Sequence, residues 1–139
     1  MILFLTMFAA VGSAEVGTPP KGPAEAIALA DADSQRGVSG VYRMKVAAAA
    51  RGVNAVYLNS SADYRAPDDL TFHLTLRAAK TLEKRLGAKP EVALLGKTVI
   101  VRGVVKAVPI ANTVAGRPAS FNRYQHSVLV EAADQLTVE

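Results

Sequence analysis

The sequence predicts a mainly β domain, a five-stranded Greek-key barrel with a helix between strands three and four and a short helix before strand one. Three patterns predict this class. Apolar and polar residues alternate with a period of two over 38–46 and 70–77, which is typical of half-buried strands. A helical period follows over 78–86, and a β-branched run with an internal glycine follows over 97–106. At 139 residues the chain suits one domain with a single core.

The N-terminus has the pattern of an export signal. Residues 2–11 are an uncharged apolar run, and the small residues Gly12, Ser13 and Ala14 follow it. This predicts a signal peptide over 1–14 and a periplasmic or secreted protein, although no Lys or Arg precedes the run. The run is shorter than the roughly 20 residues of a transmembrane helix, and the alternative is a buried N-terminal strand or helix. Residues 15–23 hold three prolines and two glycines, which predicts a flexible linker before a domain over 24–139.

Alternation defines the first three predicted strands. Leu70, Phe72, Leu74 and Leu76 alternate with polar residues more regularly than any other stretch of the chain. The short helix is predicted over 24–32, and the three strands are predicted over 38–46, 53–58 and 70–77.

Helical periodicity and glycine define the second half of the chain. Ala79, Leu82 and Leu86 share one face of the helix predicted over 78–86, and Gly87 ends that helix. The remaining predicted elements are a strand over 97–106, a long polar loop over 109–125, a strand over 127–130 and an extended end over 136–138.

Several motifs resemble one known fold. The run Gly96-Lys-Thr-Val-Ile-Val-Arg-Gly103 looks like the fourth strand of an OB-fold barrel, and Val38-Ser-Gly-Val-Tyr42 resembles the first. The chain is thereby similar to a group of small, poorly characterised exported bacterial OB-like proteins over residues 24–139. The other motifs that carry this resemblance lie at 56–60, 63–67, 116–118 and 133–138. The resemblance implies the fold and no functional residue, and the segment around 110–120 departs from the pattern.

The OB resemblance also implies a place for a ligand. OB barrels bind along the exposed face of strands two and three, flanked by the loops that join strands one to two and four to five. The residues that this places near one groove are Arg51, Tyr57, Asn59, His73, Arg117, Phe121, Arg123 and Tyr124. Arginines interleaved with aromatic rings suit single-stranded nucleic acid, because phosphates attract cations and bases stack on rings. The alternative is a mobile loop of ordinary turn composition.

Positive charge is concentrated in one part of the chain. The formal net charge is +4, and residues 77–106 hold eight basic residues against two acidic ones. Such a patch attracts nucleic acid, lipid headgroups or an acidic partner, or else it is the solvated face of a helix with outward-facing strand residues. The basic residues are Arg77, Lys80, Lys84, Arg85, Lys89, Lys97, Arg102 and Lys106.

Catalytic and metal-binding patterns are weak. Without cysteine the chain has neither disulfides nor thiolate metal sites. Asp63, Asp68 and Asp69 cluster before strand three and could hold a divalent cation as in a secreted OB-fold nuclease, but the motifs of that family do not match, and a turn is the better interpretation. His73 and His126 have no sequence neighbours that suggest a triad. We therefore predict no enzyme, no metal and no cofactor.

The leading prediction of function is an exported, monomeric, non-enzymatic binding or interaction module of the cell envelope, without a transmembrane anchor. Its partner would be an envelope protein or an anionic ligand. The alternative is binding of single-stranded nucleic acid or another polyanion through a basic groove, and the third hypothesis is a secreted nuclease-like hydrolase. Because one fold serves many functions, these hypotheses depend on the chemistry of the groove.

Overall fold

The structure, a computed structural model, describes residues 19–139, so the predicted signal peptide and residues 15–18 of the predicted linker lie outside the described residues. The described chain folds into helices and strands whose bounds are close to several of the predicted ones. The helices are α1 (Pro23–Ala32), α2 (Leu76–Leu86) and α3 (Pro90–Ala93). The strands are β1 (Val38–Lys45), β2 (Ala48–Arg51), β3 (Ala55–Asn59), β4 (Leu70–Thr75), β5 (Thr98–Val114), β6 (Arg117–Val130) and β7 (Leu136–Val138), the last preceded by a 3₁₀ turn (Ala133–Gln135).

The strands form one mixed sheet rather than the predicted closed five-stranded barrel. Its hydrogen-bonded order is β1-β5-β6-β4-β3-β2, with β7 also paired to β5. The β4–β6 pair is parallel and the other ladders are antiparallel. Within the described chain no ladder joins β1 to β2, so this path of six strands is open, with β7 attached to β5 beside it.

The extra strand arises where the chain changes partner. At Val46 the backbone N–H still donates to Lys97 on the β5 side, at 2.8 Å, whereas the N–H of Ala47 donates to Asn59 of β3, also at 2.8 Å. After this switch, Ala48–Arg51 pairs with β3 as β2. The predicted strands end at residue 46 and resume at 53, so this alanine stretch falls between them; alanine has low β propensity, and the stretch shows no alternation.

The core lies on one face of the sheet and is closed by the helices. Leu70, Phe72 and Leu74 of β4 are fully buried, as their alternation predicts. Ala26 and Ala30 of α1 are also fully buried in the same core. The remaining large buried side chains include Tyr42, Leu58, Leu82, Leu94, Val99, Val101 and Leu136.

The end of β4 is set by a helix cap. The Thr75 side chain accepts a hydrogen bond from the N–H of Ala78 at 3.2 Å, so α2 begins at Leu76. In the structure the strand therefore ends two residues before its predicted end, and the helix begins two residues before its predicted start. At the other end, Gly87 has a φ of +77° and its N–H donates to Glu83, which confirms the predicted glycine stop.

The segment 109–125, predicted as a long polar loop, is a β-hairpin instead. Strands β5 and β6 continue past the rest of the sheet and pair with each other from Val105↔Val128 to Val114↔Arg117. Ala115 and Gly116 turn the hairpin with φ values of 53° and 79°, as in a type I′ turn. We call residues 109–124 the arm. Its residues 111–122 are all exposed, which explains why no buried alternation marks these strands in the sequence.

Helix α1 is tied to the sheet by a side-chain pair. Nε2 of the largely buried His126 lies 2.8 Å from Oδ1 of Asp31. Ahead of the helix, Lys21 forms a backbone bridge to β1, where its N–H donates to Val41 and its carbonyl accepts from Arg43, both at 2.9 Å. Among residues 19–139, no helix has the length and apolar character needed to cross a membrane.

Candidate functional site

A groove of about 570 Å³ lies on the outer face of the sheet, opposite the core. Strand pairing aligns the outward side chains in rows across β3 and β4, with Tyr57 beside His73 and Asn59 beside Thr71. The groove is lined by Ala50, Arg51, Gly52, Tyr57, Asn59, Tyr64, Thr71, His73, Val108, Ile110, Arg123, Gln125 and Ser127. Because these positions lie on paired strands, most of the lining is held by backbone hydrogen bonds rather than by a loop.

One wall of the groove is aromatic. The rings of Tyr57 and His73 meet edge to face, with centroids 5.0 Å apart and an interplanar angle of 70°. Both side chains are half-buried. Burial lowers the pKa of His73 below its ordinary 6.5, because the charged imidazolium loses water in this position. The imidazole is therefore neutral at pH 7 and acts as a flat ring with a polar edge.

The floor of the groove is a buried polar cluster. Asp69 is 1% exposed and accepts hydrogen bonds from the Ser61 N–H at 2.9 Å and from the Gln125 amide at 3.1 Å. The Thr71 hydroxyl lies 2.7 Å from Asn59 Oδ1, 2.9 Å from Asp69 Oδ2 and 2.7 Å from the Gln125 amide nitrogen. Burial raises the pKa of Asp69, and the hydrogen bonds it accepts offset only part of this effect. Since one hydroxyl proton cannot serve both oxygens, Thr71 donates to either Asn59 or Asp69 at a time.

The rim of the groove carries a guanidinium beside a ring. Arg123 of β6 donates from Nη1 to the Gln125 side chain at 2.6 Å, while its Nε is buried and has no hydrogen-bond partner. The guanidinium carbon of Arg123 lies 5.6 Å from the ring centroid of Tyr64, and that of Arg65 lies 5.1 Å from it. Tyr64 is thus near two cations, as cation–π contact favours.

Arg51, which the sequence places at the groove as a cation, has its charge balanced. Its Nε lies 2.6 Å from Oε2 of Glu91, and its Nη2 lies 3.1 Å from Oε1. The hydrogen bond from Arg51 lowers the pKa of Glu91, which keeps this pair ionised. Glu91 lies in the first turn of α3, forty residues along the chain from Arg51, so no local pattern in the sequence indicates the pairing.

Five of the eight residues that the sequence places near one groove line it: Arg51, Tyr57, Asn59, His73 and Arg123. They come together because β6, β4, β3 and β2 are successive neighbours in the sheet. Asn59 is 5% exposed, so it contributes to the floor and is hardly open to solvent.

The other three predicted residues do not line the groove. Phe121 and Tyr124 lie on the arm, 58% and 50% exposed, and their ring centroids are 4.9 Å apart. Tyr124 has the parity of His126, which points to the core side, whereas Arg123 has the opposite parity and reaches the groove. Arg117 pairs with Val114 next to the turn of the arm. These three residues therefore lie apart from the groove lining, and the ligand-binding role of the set stays a prediction.

Sequence reasoning missed several lining residues. Thr71 lies two residues before His73 and therefore shares its outward face, so the alternation of the predicted strand was sufficient to place it at the groove. Tyr64 lies in the loop 60–69, where nothing in the local pattern shows which way a ring points. Gln125 and Ile110 fall in the segment assigned to a loop, and their parity could be assigned only once that segment was known to be paired.

The acidic residues before β4 do not act as one site. Asp69 belongs to the buried cluster, Asp63 accepts the Arg65 N–H at 3.0 Å, and Asp68 is exposed. No group of three or more His, Asp or Glu side chains within residues 19–139 is arranged to hold a metal ion. The nuclease-like hypothesis gains no support from this cluster.

Comparisons with known proteins give little further information. No protein-family profile matches the chain, and no curated protein sequence matches it. Among solved structures, asparaginyl-tRNA synthetase from Pyrococcus horikoshii is similar with a TM-score of 0.34 and 19% identity. The match covers 68% of this chain and 21% of the synthetase chain. We base neither the fold nor the function on this similarity.

Proposed function

We propose that this chain is an exported, non-enzymatic binding module of OB-like fold that holds its ligand in the outer-face groove. The observation that carries the proposal is the groove itself, in which aromatic rings and the side chain of Arg123 line a cavity of about 570 Å³. A pocket of mainly apolar lining with a few placed polar groups is typical of small-molecule sites.

The topology supports the OB-like part of the proposal. Only residues 46 and 47 separate β1 from β2, so the two can be counted as halves of one bent strand. The order of pairing then follows that of an OB-fold, including a parallel pair between the third and last strands, here β4 and β6. The groove lies on the face formed by the second and third strands of that order, where OB-folds bind ligands.

Export is supported by the apolar run of residues 2–11 and the small residues after it. In the native host the mature chain should begin at Glu15 or within a few residues of it, and N-terminal sequencing would measure this. Soluble cytoplasmic protein that keeps residues 1–14 would contradict the proposal.

The groove can be tested by filling it. Ala50 lines the groove and Ala111 is an exposed alanine of the arm, so Ala50→Trp and Ala111→Trp form a matched pair. With N-phenyl-1-naphthylamine as a neutral fluorescent probe, we expect binding of one molecule per chain. Ala50→Trp should weaken it at least about tenfold, or roughly 1.4 kcal/mol, and Ala111→Trp should leave it unchanged. Equal effects of the two variants would show that the probe binds elsewhere.

Binding of single-stranded nucleic acid is the second candidate, and the arm is the feature that favours it. The exposed Phe121–Tyr124 pair offers a stacking surface, and residues 106–125 hold three basic residues and no acidic one. A fluorescein-labelled oligo-dT titration at two salt concentrations tests this. Binding that weakens with salt, is lost in Phe121→Ala and survives in Ala50→Trp would favour the arm. No binding at low salt would remove this candidate.

A further inference from the structure

One of the two arginines that line the groove has no acidic partner in the described part of the chain. The guanidinium of Arg51 is already held by Glu91. None of the ion pairs formed within residues 19–139 includes Arg123. The carboxyl nearest to Arg123 in the hydrogen-bond network is that of Asp69, which is buried in the floor and reached only through Gln125.

The unpaired side of the Arg123 guanidinium can be compared with the same side of Arg51, which is paired. Arg51 uses its Nε and Nη2 to hold both oxygens of Glu91, which is the usual side-on geometry for a carboxylate. Arg123 donates to Gln125 from Nη1 and leaves Nε without an acceptor. A buried donor without an acceptor is costly, because it has lost its water without gaining a partner. An anionic oxygen at the rim of the groove would supply that acceptor.

The rest of the lining suits an apolar body. Ala50, Val108 and Ile110 contribute aliphatic surface, and Tyr57 and Tyr64 contribute ring surface. A polyanion would need a row of cations along its path, since each phosphate carries its own charge. The groove instead offers one unmatched cation beside apolar walls, in a volume of about 570 Å³ that lies within the usual range for small ligands.

We infer that the groove takes a small amphiphilic anion, a free molecule with an aromatic or aliphatic body and one carboxylate, sulfonate or phosphate group that binds Arg123. This inference rests on the proposed function, since it names the ligand class of the same groove. In the complex, the apolar body lies between the tyrosine rings and the aliphatic residues of β5. The acidic group accepts from Nη2 of Arg123 and, once a side-chain shift uncovers it, from the buried Nε, so that both donors are used as Arg51 uses its own on Glu91.

Two dyes that differ by one charged group test the inference. 1-Anilinonaphthalene-8-sulfonate has the ring system of N-phenyl-1-naphthylamine plus a sulfonate. The full chain should bind the sulfonate at least about tenfold more tightly, or by roughly 1.4 kcal/mol, because only the sulfonate offers a charged acceptor to Arg123. Arg123→Gln should reduce the affinity for the sulfonate to that for the neutral dye and leave the neutral dye unaffected. Arg117→Gln, at the far end of the arm, is the matched control and should change neither.

The outcomes separate this inference from the proposed function. If both dyes are blocked by Ala50→Trp but bind equally well, or if Arg123→Gln weakens both alike, the groove remains a binding site and the anion inference is wrong. If Ala50→Trp affects neither dye, both proposals fail. Arg123→Lys keeps the charge without the fork and should give intermediate affinity for the sulfonate, which guards against misfolding of the glutamine variant. Displacement of the sulfonate by oligo-dT would overturn the small-ligand inference.

Discussion

Leu74 and Thr75 are neighbours in β4, yet they stabilise the molecule in different ways. Leu74 is fully buried in the core. Thr75 has the outward parity, and the sequence alone predicts that its loss costs under about 1 kcal/mol, as for most surface positions. In the structure its hydroxyl caps α2 by accepting the Ala78 N–H. Parity along a strand thus predicts burial well, but it does not show what an outward side chain does.

We therefore expect Leu74→Ala to lower the free energy of unfolding by about 2–5 kcal/mol, because it leaves a cavity. Thr75→Ala should cost about 1 kcal/mol, the usual effect of losing an N-terminal cap. Thr113→Ala, an exposed threonine of the arm, is the control and should change stability by less than about 0.5 kcal/mol. Urea denaturation measures all three. A Thr75→Ala effect equal to that of the control would mean that the cap contributes nothing.

A second prediction at the residue scale concerns Asp69 and the pH dependence of stability. Burial raises its pKa above the ordinary 3.8, so the folded state holds the proton more tightly than the unfolded state does. A raised carboxyl pKa contributes stability fully below pH 3.8, and this contribution is lost as pH rises through the folded-state pKa. Asp69→Asn removes the titration, so the variant should gain stability relative to the natural chain as pH rises from about 3 to about 7.

The comparison is made on differences, because other groups titrate in the opposite sense. The pKa values of Glu91 and Glu139 are lowered by hydrogen bonds from their arginine partners, so both carboxylates favour folding at neutral pH and lose that effect in acid. These contributions cancel between the natural chain and Asp69→Asn. A stability difference for Asp69→Asn that does not vary with pH would contradict the prediction.

At the scale of elements, the arm shows where sequence reasoning ends. Strand β4 is predicted because one of its faces is buried and the other is not. This difference appears in the sequence as an alternation of apolar and polar residues. The arm has no such difference, since residues 111–122 are exposed on both faces. Pro109 and Pro118 also suggest a loop, although edge strands of a hairpin tolerate proline. Without the arm as a hairpin, Ile110 could not be assigned to the groove and Tyr124 could not be excluded from it.

Because the arm pairs only with itself beyond β1 and β4, we expect the fold to survive without it. Replacing residues 109–124 by Asn-Gly joins Val108 to Gln125, which already face each other across the ladder, through a type I′ turn. The variant should unfold cooperatively with a free energy within about 1–2 kcal/mol of the natural chain, since the deleted segment buries little of the core. Circular dichroism with urea measures this. Loss of cooperative unfolding would show that the arm is part of the folding unit.

Across the whole molecule, the predicted strand positions are more accurate than the predicted closure. The β-rich class, the helix between the alternating strands and the glycine stop at Gly87 follow from local patterns. The open order of the strands does not follow from local patterns. It depends on the change of partner at residues 46 and 47, where the chain switches between strands that are distant in the sequence. The same holds for the groove, where the Arg51–Glu91 pair joins residues that no local window contains.

The limits of the folded unit give the last prediction. The sequence predicts a domain from residue 24, whereas the structure includes Lys21, whose backbone pairs with β1 on both sides of Tyr42. A chain of residues 19–139 should therefore be more stable than one of 24–139, by about 1–2 kcal/mol for two backbone hydrogen bonds. A chain of 34–139 lacks α1, exposes the core that Ala26 and Ala30 cover, and removes Asp31 from the buried His126. Since a domain of this size is stable by only about 5–15 kcal/mol, this shortest chain should fail to unfold cooperatively at 25 °C. Equal urea midpoints for all three chains would show that neither the bridge at Lys21 nor α1 belongs to the stable core.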